Sequence, residues 1–155
     1  MNTIGVDPGL SGAIACIRDD GVVMVTDMPL FEIQRGKKTL REVNGVELCA
    51  IVQLCGHAEA SVEKPHAMPG QGVTSMFNFG KACGVVDGVL SAMMIPVSYV
   101  APATWKRQMG LSSDKGESRR RATHLYPQYA DEWKRVKDDG RAEAVLLAHY
   151  LRTIV

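Results

Sequence analysis

A chain of 155 residues that is 46% hydrophobic and 23% charged has the material for one globular core but is short for two, so residues 1–155 read as a single domain and not as a disordered chain. A formal net charge of +1 gives no global pull towards nucleic acid or membrane, so a polyanionic partner must meet a local patch. The four cysteines, Cys16, Cys49, Cys55 and Cys83, show no Cys-x-x-Cys spacing and read as reduced thiols of a cytoplasmic protein.

Asp7 and its turn interrupt the first apolar run, so no secretory leader is expected. The longest weakly polar run, Gly84 to Ala103, carries Asp87 and two prolines and reads poorly as a membrane span. Ile4–Val6, Ala13–Ile17 and Val22–Thr26 are predicted as three short antiparallel strands, broken by Pro8-Gly9 and Asp19-Asp20-Gly21. Phe31 to Asn44 is polar and basic, with Arg35, Lys37, Lys38 and Arg41, and reads as a long loop or hairpin arm. Asn44 is placed to cap a helix over Val46–His57, and Ala60–Glu63 reads as a fourth strand stopped by Pro65.

His66 to Ser75 is rich in Gly, Pro and Met and reads as a loop. Its stretch onward to Asn78, with Met68, Gln71, Met76 and Phe77, could touch bases. Met76–Met94 is predicted as a helix with Gly80, Gly84 and Gly88 on one face. Each glycine costs a helix ~1 kcal/mol relative to alanine, so the stripe asks for a packing reason, either close approach to the sheet or a helix–helix contact across a dimer. Pro96–Val100 reads as a fifth strand, Thr104 as the cap of a short helix over Trp105–Met109, Lys115–Tyr126 as a basic helix, and Arg141–Thr153 as the last helix. Hairpin strands first, then strands alternating with helices, predict an α/β fold with a mixed five-stranded sheet flanked by helices.

Asp7 and Glu63 each end a short apolar run, which puts both carboxylates at the carboxyl edge of strands, where ligands bind in sheets covered by helices. Glu143 stands among Ala142, Ala144, Val145, Leu146 and Leu147, and Asp139 lies four residues earlier, with Asp138 behind it. Taken singly, Asp7 could open a turn, Glu63 could pair with Lys64 and Asp139 could cap a helix. Together, carboxylates converging on one edge would raise one another's pKa, and hard divalent cations relieve that repulsion. Two such ions can drive phosphodiester cleavage. There is no zinc-type His/Cys spacing, no phosphate-binding Gly-x-x-x-x-Gly-Lys-Ser/Thr loop and no Gly-x-Ser-x-Gly elbow, so no nucleotide cofactor is expected. Between the two groups of acids, Lys106, Arg107, Lys115, Arg119, Arg120 and Arg121 face only Asp114 and Glu117, a cluster suited to phosphates, with Trp105 beside it.

These residues resemble the RuvC-type Holliday junction resolvases of the ribonuclease H-like superfamily, in particular the compact versions found in bacteriophages. Ile4-Gly5-Val6-Asp7-Pro8-Gly9 looks like the first strand and its metal-binding aspartate, Val62-Glu63-Lys64-Pro65 like the strand carrying the second acid, and Asp139-Gly140-Arg141-Ala142-Glu143-Ala144 like the helix that supplies the remaining acids. Phe79 to Val85 resembles the helix through which such enzymes dimerise, which would make Gly80, Gly84 and Gly88 interface positions. Lys106 and Lys115 fall where the family places lysines near the scissile phosphate. One departure stands out: Gly140 occupies the position three residues before Glu143 where cellular members carry an acid, and Asp139 is its nearest substitute.

The resemblance implies a homodimeric, Mg²⁺-dependent endonuclease that nicks four-way DNA junctions in pairs, leaving 5′-phosphate and 3′-hydroxyl ends. It implies two metal ions per site, with Mn²⁺ able to substitute. Asp7 would bridge the ions, Glu63 and Glu143 would each hold one, Asp139 would complete the site, and Lys115 would assist catalysis. Lys106, Arg107, Lys115, Arg119, Arg120, Arg121 and Gln71 would hold DNA. A broader flap or branched-DNA nuclease, an RNA–DNA hybrid cutter and a non-cleaving junction binder are the alternatives. A phage-encoded member would work in the host-cell cytoplasm.

Overall fold

Strand β1 (Asn2–Asp7) alternates its two faces, and the alternation divides the molecule. Ile4 and Val6 enter one core, while Gly5 meets the backbone of the C-terminal helix on the other side. The computed structural model of the chain describes residues 1–67, 69–112, 114 and 116–154. β2 (Ala13–Ile17) and β3 (Val23–Asp27) extend the sheet antiparallel from β1, as their short turns require.

The chain then leaves the sheet for a separate hairpin, β4 (Leu30–Arg35) and β5 (Lys38–Val43), and for helix α1 (Gly45–Leu54). Asn44 caps α1 by accepting a hydrogen bond from the Glu47 amide. β6 (Ala58–Glu63) returns parallel to β1, α2 (Val73–Ala92) crosses over, and β7 (Val97–Val100) lies parallel to β6. The five-stranded sheet is mixed, in the order β3-β2-β1-β6-β7.

Helices α1 and α2 pack Leu48, Val52, Val86 and Leu90 against Ile4, Val6, Ile14 and Val62 on one face. The other face is covered by α3 (Pro102–Gln108), α4 (Glu117–Leu125) and α5 (Asp139–Ile154), with Trp105 and Trp133 fully buried between them. α5 crosses β1 so closely that a Cβ on Gly5 would collide with the Ala144 carbonyl oxygen and the Ala148 nitrogen.

Several element boundaries differ from the sequence reading. α2 begins at Val73, so its first turn takes in residues that read as loop. α3 begins at Pro102, which suits a first helical turn because it has no amide proton to satisfy, and Thr104 therefore lies inside the helix and caps nothing. α5 begins at Asp139, before Gly140. Two 3₁₀ helices, Pro127–Trp133 and Val136–Asp138, fill a stretch without an apolar period. Beyond its own stretch of α2, a Cβ at Gly80, Gly84 or Gly88 would meet no atom of the described residues within 4 Å, so the glycine stripe does not serve approach to its own sheet and faces outward. No helix among the described residues is long and apolar enough to cross a membrane.

Candidate active site

The parallel register of β1 and β6 pairs Val6 with Val62, which brings Asp7 and Glu63 side by side at the carboxyl edge of the sheet. On the neighbouring side, Ala60, Val62 and Ala58 turn into the α1/α2 core, so Glu63 and Asp7 share the α5 face. α5 enters at this edge. A Cβ on Gly140 would lie 3.4 Å from Asp7 Oδ2 and 2.8 Å from the Ser11 carbonyl oxygen, which puts the first turn of α5 directly on the Asp7 loop. Glu143, three residues on, occupies the same side of the helix one turn later.

α3 completes the cluster. β7 pairs Val100 with Glu63, so the chain leaving β7 enters α3 beside that carboxylate. Trp105, fully buried, donates its indole N–H to Glu63 Oε2 at 2.8 Å. Lys106 Nζ lies 2.9 Å from Glu143 Oε1 and 5.2 Å from the centre of the Trp105 ring, so one indole positions an acid and a cation together. Ser118, in the first turn of α4, donates its hydroxyl to the same Glu143 oxygen at 3.2 Å.

The electrostatics follow from this crowding. Burial pushes the Asp7 carboxyl up to about 7, and the charges of Glu143 and Glu63 push it the same way against the pull of Lys106. Burial also raises Glu63 above the ordinary carboxylate range, opposed by the Trp105 hydrogen bond and the Lys106 charge. Burial alone would lower Lys106. Its bond to Glu143 and the charges of Glu143, Glu63 and Asp7 outweigh that and raise it.

The remaining residues expected at the site are placed as follows. Asp139 accepts from Arg119 Nε at 2.6 Å. Asp138 is buried and bound by Arg135 through the backbone amide and both ends of the guanidinium, which holds its carboxyl down at about 2. Arg119 is thus engaged with Asp139, and Arg120 bonds Asp114 at 2.6 Å. Arg107 is exposed on α3 and Arg121 half-buried on α4. Gln71 lines a cleft of about 270 Å³ with Asp7, Glu63, His66 and Phe79. Lys115 lies outside the described residues.

The sequence contained no signal for Ser118 as a partner of Glu143. For Trp105 and Lys106 the signal was their adjacency alone, and Lys106 stands inside the acid cluster instead of beside it.

The donor set is all carboxylate oxygen, with two members held above their ordinary range by burial and mutual repulsion, which is the chemistry that hard divalent cations relieve. The residues fit such an ion in kind. Among the described residues no three His, Cys, Asp or Glu side chains already stand round a common point, and Glu143 is ion-paired with Lys106.

No family model and no curated protein matches the sequence. The fold has clear relatives among solved structures. RuvC of Thermus thermophilus in complex with a Holliday junction substrate superposes with a TM-score of 0.63 at 11% identity, over 99% of this chain and 96% of that one. A second Thermus thermophilus RuvC structure gives a TM-score of 0.55 at 16% identity with the same coverage. The chain shares the fold of these two RuvC structures over 99% of its length.

Proposed function

We propose that this protein is a structure-selective, divalent-metal-dependent endodeoxyribonuclease that resolves four-way DNA junctions as a homodimer by paired nicks. The observation that carries the reading is the convergence of Asp7, Glu63 and Glu143, with Lys106, on the carboxyl edge of a RuvC-type sheet. A RuvC of this fold has been captured with a Holliday junction substrate, which supports the same class of substrate here.

Asp7, Glu63 and Glu143 would hold Mg²⁺, Mn²⁺ being the natural substitute. Such a cation, when bound, would supply neutralising charge at the scissile phosphate and acidity for an attacking water. Trp105 fixes the Glu63 carboxylate, so that this ligand is oriented before any ion arrives. Lys106 is paired with Glu143 at 2.9 Å, and its ammonium would be available to a phosphate oxygen wherever that carboxylate served a cation instead. Asp139 clamps α4 to α5 through Arg119 and supports the site from outside it. Arg107, Arg120 and Arg121, with Lys115 and Gln71, are assigned to the DNA backbone and the bases near the cut.

The dimer rests on α2. Its outward side carries Gly80, Gly84 and Gly88 with open space above them and Phe77 at 71% exposure, a surface fit for a second copy. Two sites related by a two-fold axis match opposed strands of a four-way junction.

The test is cleavage of a labelled immobile four-way junction by the parent protein and by Glu143→Gln, in Mg²⁺ and in EDTA, beside linear duplex, flap and hybrid substrates. Symmetric nicks on the junction alone, lost in EDTA and reduced about a hundredfold or more in the variant, are expected. Equal cutting of all branched substrates would leave a general debranching nuclease. Binding without nicks would leave a junction binder.

A further inference from the structure

The β4–β5 hairpin takes no part in the sheet or in the acid cluster, yet it is rooted at the same edge. Asp7 pairs with Ala13 and Ala13 with Asp27, so β3 ends level with Asp7. The next residue, Met28, donates its amide to the Gly12 carbonyl in the loop after Asp7, and Asn44 closes the base by donating to the Pro29 carbonyl. Met28 and Val43 are buried in the α1/α2 core, whereas Arg35, Lys37 and Lys38 at the far end are exposed. A hairpin of six-residue strands reaches roughly 20 Å from its base, about the length of six base pairs of duplex.

The charges on the hairpin are sorted. Its two acids are both neutralised near the base or midway: Glu32 by Arg41 at 3.4 Å and Glu42 by Lys81 of α2 at 2.6 Å. Arg35, Lys37 and Lys38 make no ion pair among the described residues, and they surround a two-residue turn at Gly36. Gly36 has φ of 62°, the left-handed conformation that tight hairpin turns need and glycine adopts without strain. A bare two-stranded hairpin is marginal in water, so three like charges held together at its end work against its own stability. An extended polyanion removes that repulsion.

We propose that the tip of the β4–β5 hairpin, through Arg35, Lys37 and Lys38, is a second phosphate-binding contact that grips a duplex arm of the DNA at a distance from the cleavage site. This inference rests on the nuclease reading above. The hairpin then acts as a brace: the acid cluster works at the branch, and the tip holds the backbone of one arm several base pairs away. It contributes affinity and orientation and no base-specific contact.

The experiment compares the parent with the triple variant Arg35→Ala/Lys37→Ala/Lys38→Ala and with the charge-keeping variant Arg35→Lys/Lys37→Arg/Lys38→Arg. Equilibrium binding to a four-way junction is measured across a salt series, with long arms and with arms cut back to a few base pairs. The triple alanine variant is expected to bind long-armed junctions more weakly and to lose about 2–3 from the slope of log K against log salt, at ~0.9 per phosphate contact. The charge-keeping variant keeps the parental slope, and on short arms all three proteins converge. An unchanged slope in the alanine variant, with its circular dichroism and melting curve intact, overturns the proposal and leaves the nuclease reading standing. An unchanged slope together with an altered sedimentation mass also overturns it, by moving the tip to a protein interface. A parent protein that does not prefer the junction to duplex at all would instead overturn the junction-selective reading.

Discussion

Asp7→Asn is expected to abolish cleavage and yet to stabilise the metal-free protein. The Asp7 carboxyl is raised from 3.8 to about 7, first by burial and then by the charges of Glu143 and Glu63. At ~1.4 kcal/mol per pKa unit, that gap corresponds to about 4 kcal/mol, which water entering the cleft trims to about 2–4 kcal/mol. The native state holds this proton more tightly than the unfolded chain. The associated stability is therefore intact below about pH 4 and is lost as pH rises through about 7. Asparagine has no proton to lose. Thermal melts of parent and variant in EDTA should coincide near pH 4 and separate as pH rises, with the variant melting roughly 5–10 °C higher at about pH 8. Mg²⁺ should raise the parent's melting temperature and leave the variant's nearly unchanged. A variant that is equal to or less stable than the parent at pH 8 in EDTA would refute the reasoning, because Asp7 would then not be a buried charge in conflict with its neighbours.

Trp105→Phe removes the 2.8 Å donor to Glu63 and leaves a void in the core, so a stability loss of about 1–3 kcal/mol is expected in denaturant titration. Because that hydrogen bond holds the Glu63 pKa down, the acid limb of the cleavage pH profile should also move to higher pH, and an unmoved limb would count against the assignment. Gly140→Asp, which restores an acid three residues before Glu143, should not raise activity: its Cβ would lie 2.8 Å from the Ser11 carbonyl oxygen, and a loss of about 1–3 kcal/mol is expected from overpacking. A variant as stable as the parent and more active would contradict it. Gly84→Glu points into open space in the monomer, so its circular dichroism should match the parent's while its sedimentation mass falls from dimer to monomer. A dimeric Gly84→Glu would move the interface elsewhere.

The sheet was legible because its signals are local. Pro8-Gly9 and Asp19-Asp20-Gly21 mark the turns of an antiparallel three-strand start, and β6 and β7 each show as a short apolar run before a proline or an acid. The pairing of Asp7 with Glu63 followed from both lying at the ends of such runs, since parallel neighbours on one sheet place their carboxyl ends together. Gly5 illustrates the limit of local reading. Its sequence context suggests a strand, but its reason for being glycine lies in α5, more than a hundred residues later, whose backbone occupies the space a side chain would need.

The details of the site were less legible because they are set by pairings between elements that no spacing connects. Lys106 follows Trp105 in a basic segment, and a basic segment reads as a phosphate surface. Only the descent of α3 from β7 turns that lysine inward onto Glu143. Asp139 and Glu143 are four apart and read as neighbours on one helix face. Arg119, on α4, bonds Asp139, and Gly140 brings the helix so close to the Asp7 loop that a side chain at that position has no room. One close approach therefore has two consequences. It lets Glu143 reach the sheet edge from the second turn of α5, and it leaves no room for a side chain at position 140. The meeting of Glu143, with its partner Lys106, and the Asp7–Glu63 edge is a property of how tightly α5 lies on β1 as much as of which acids the chain carries.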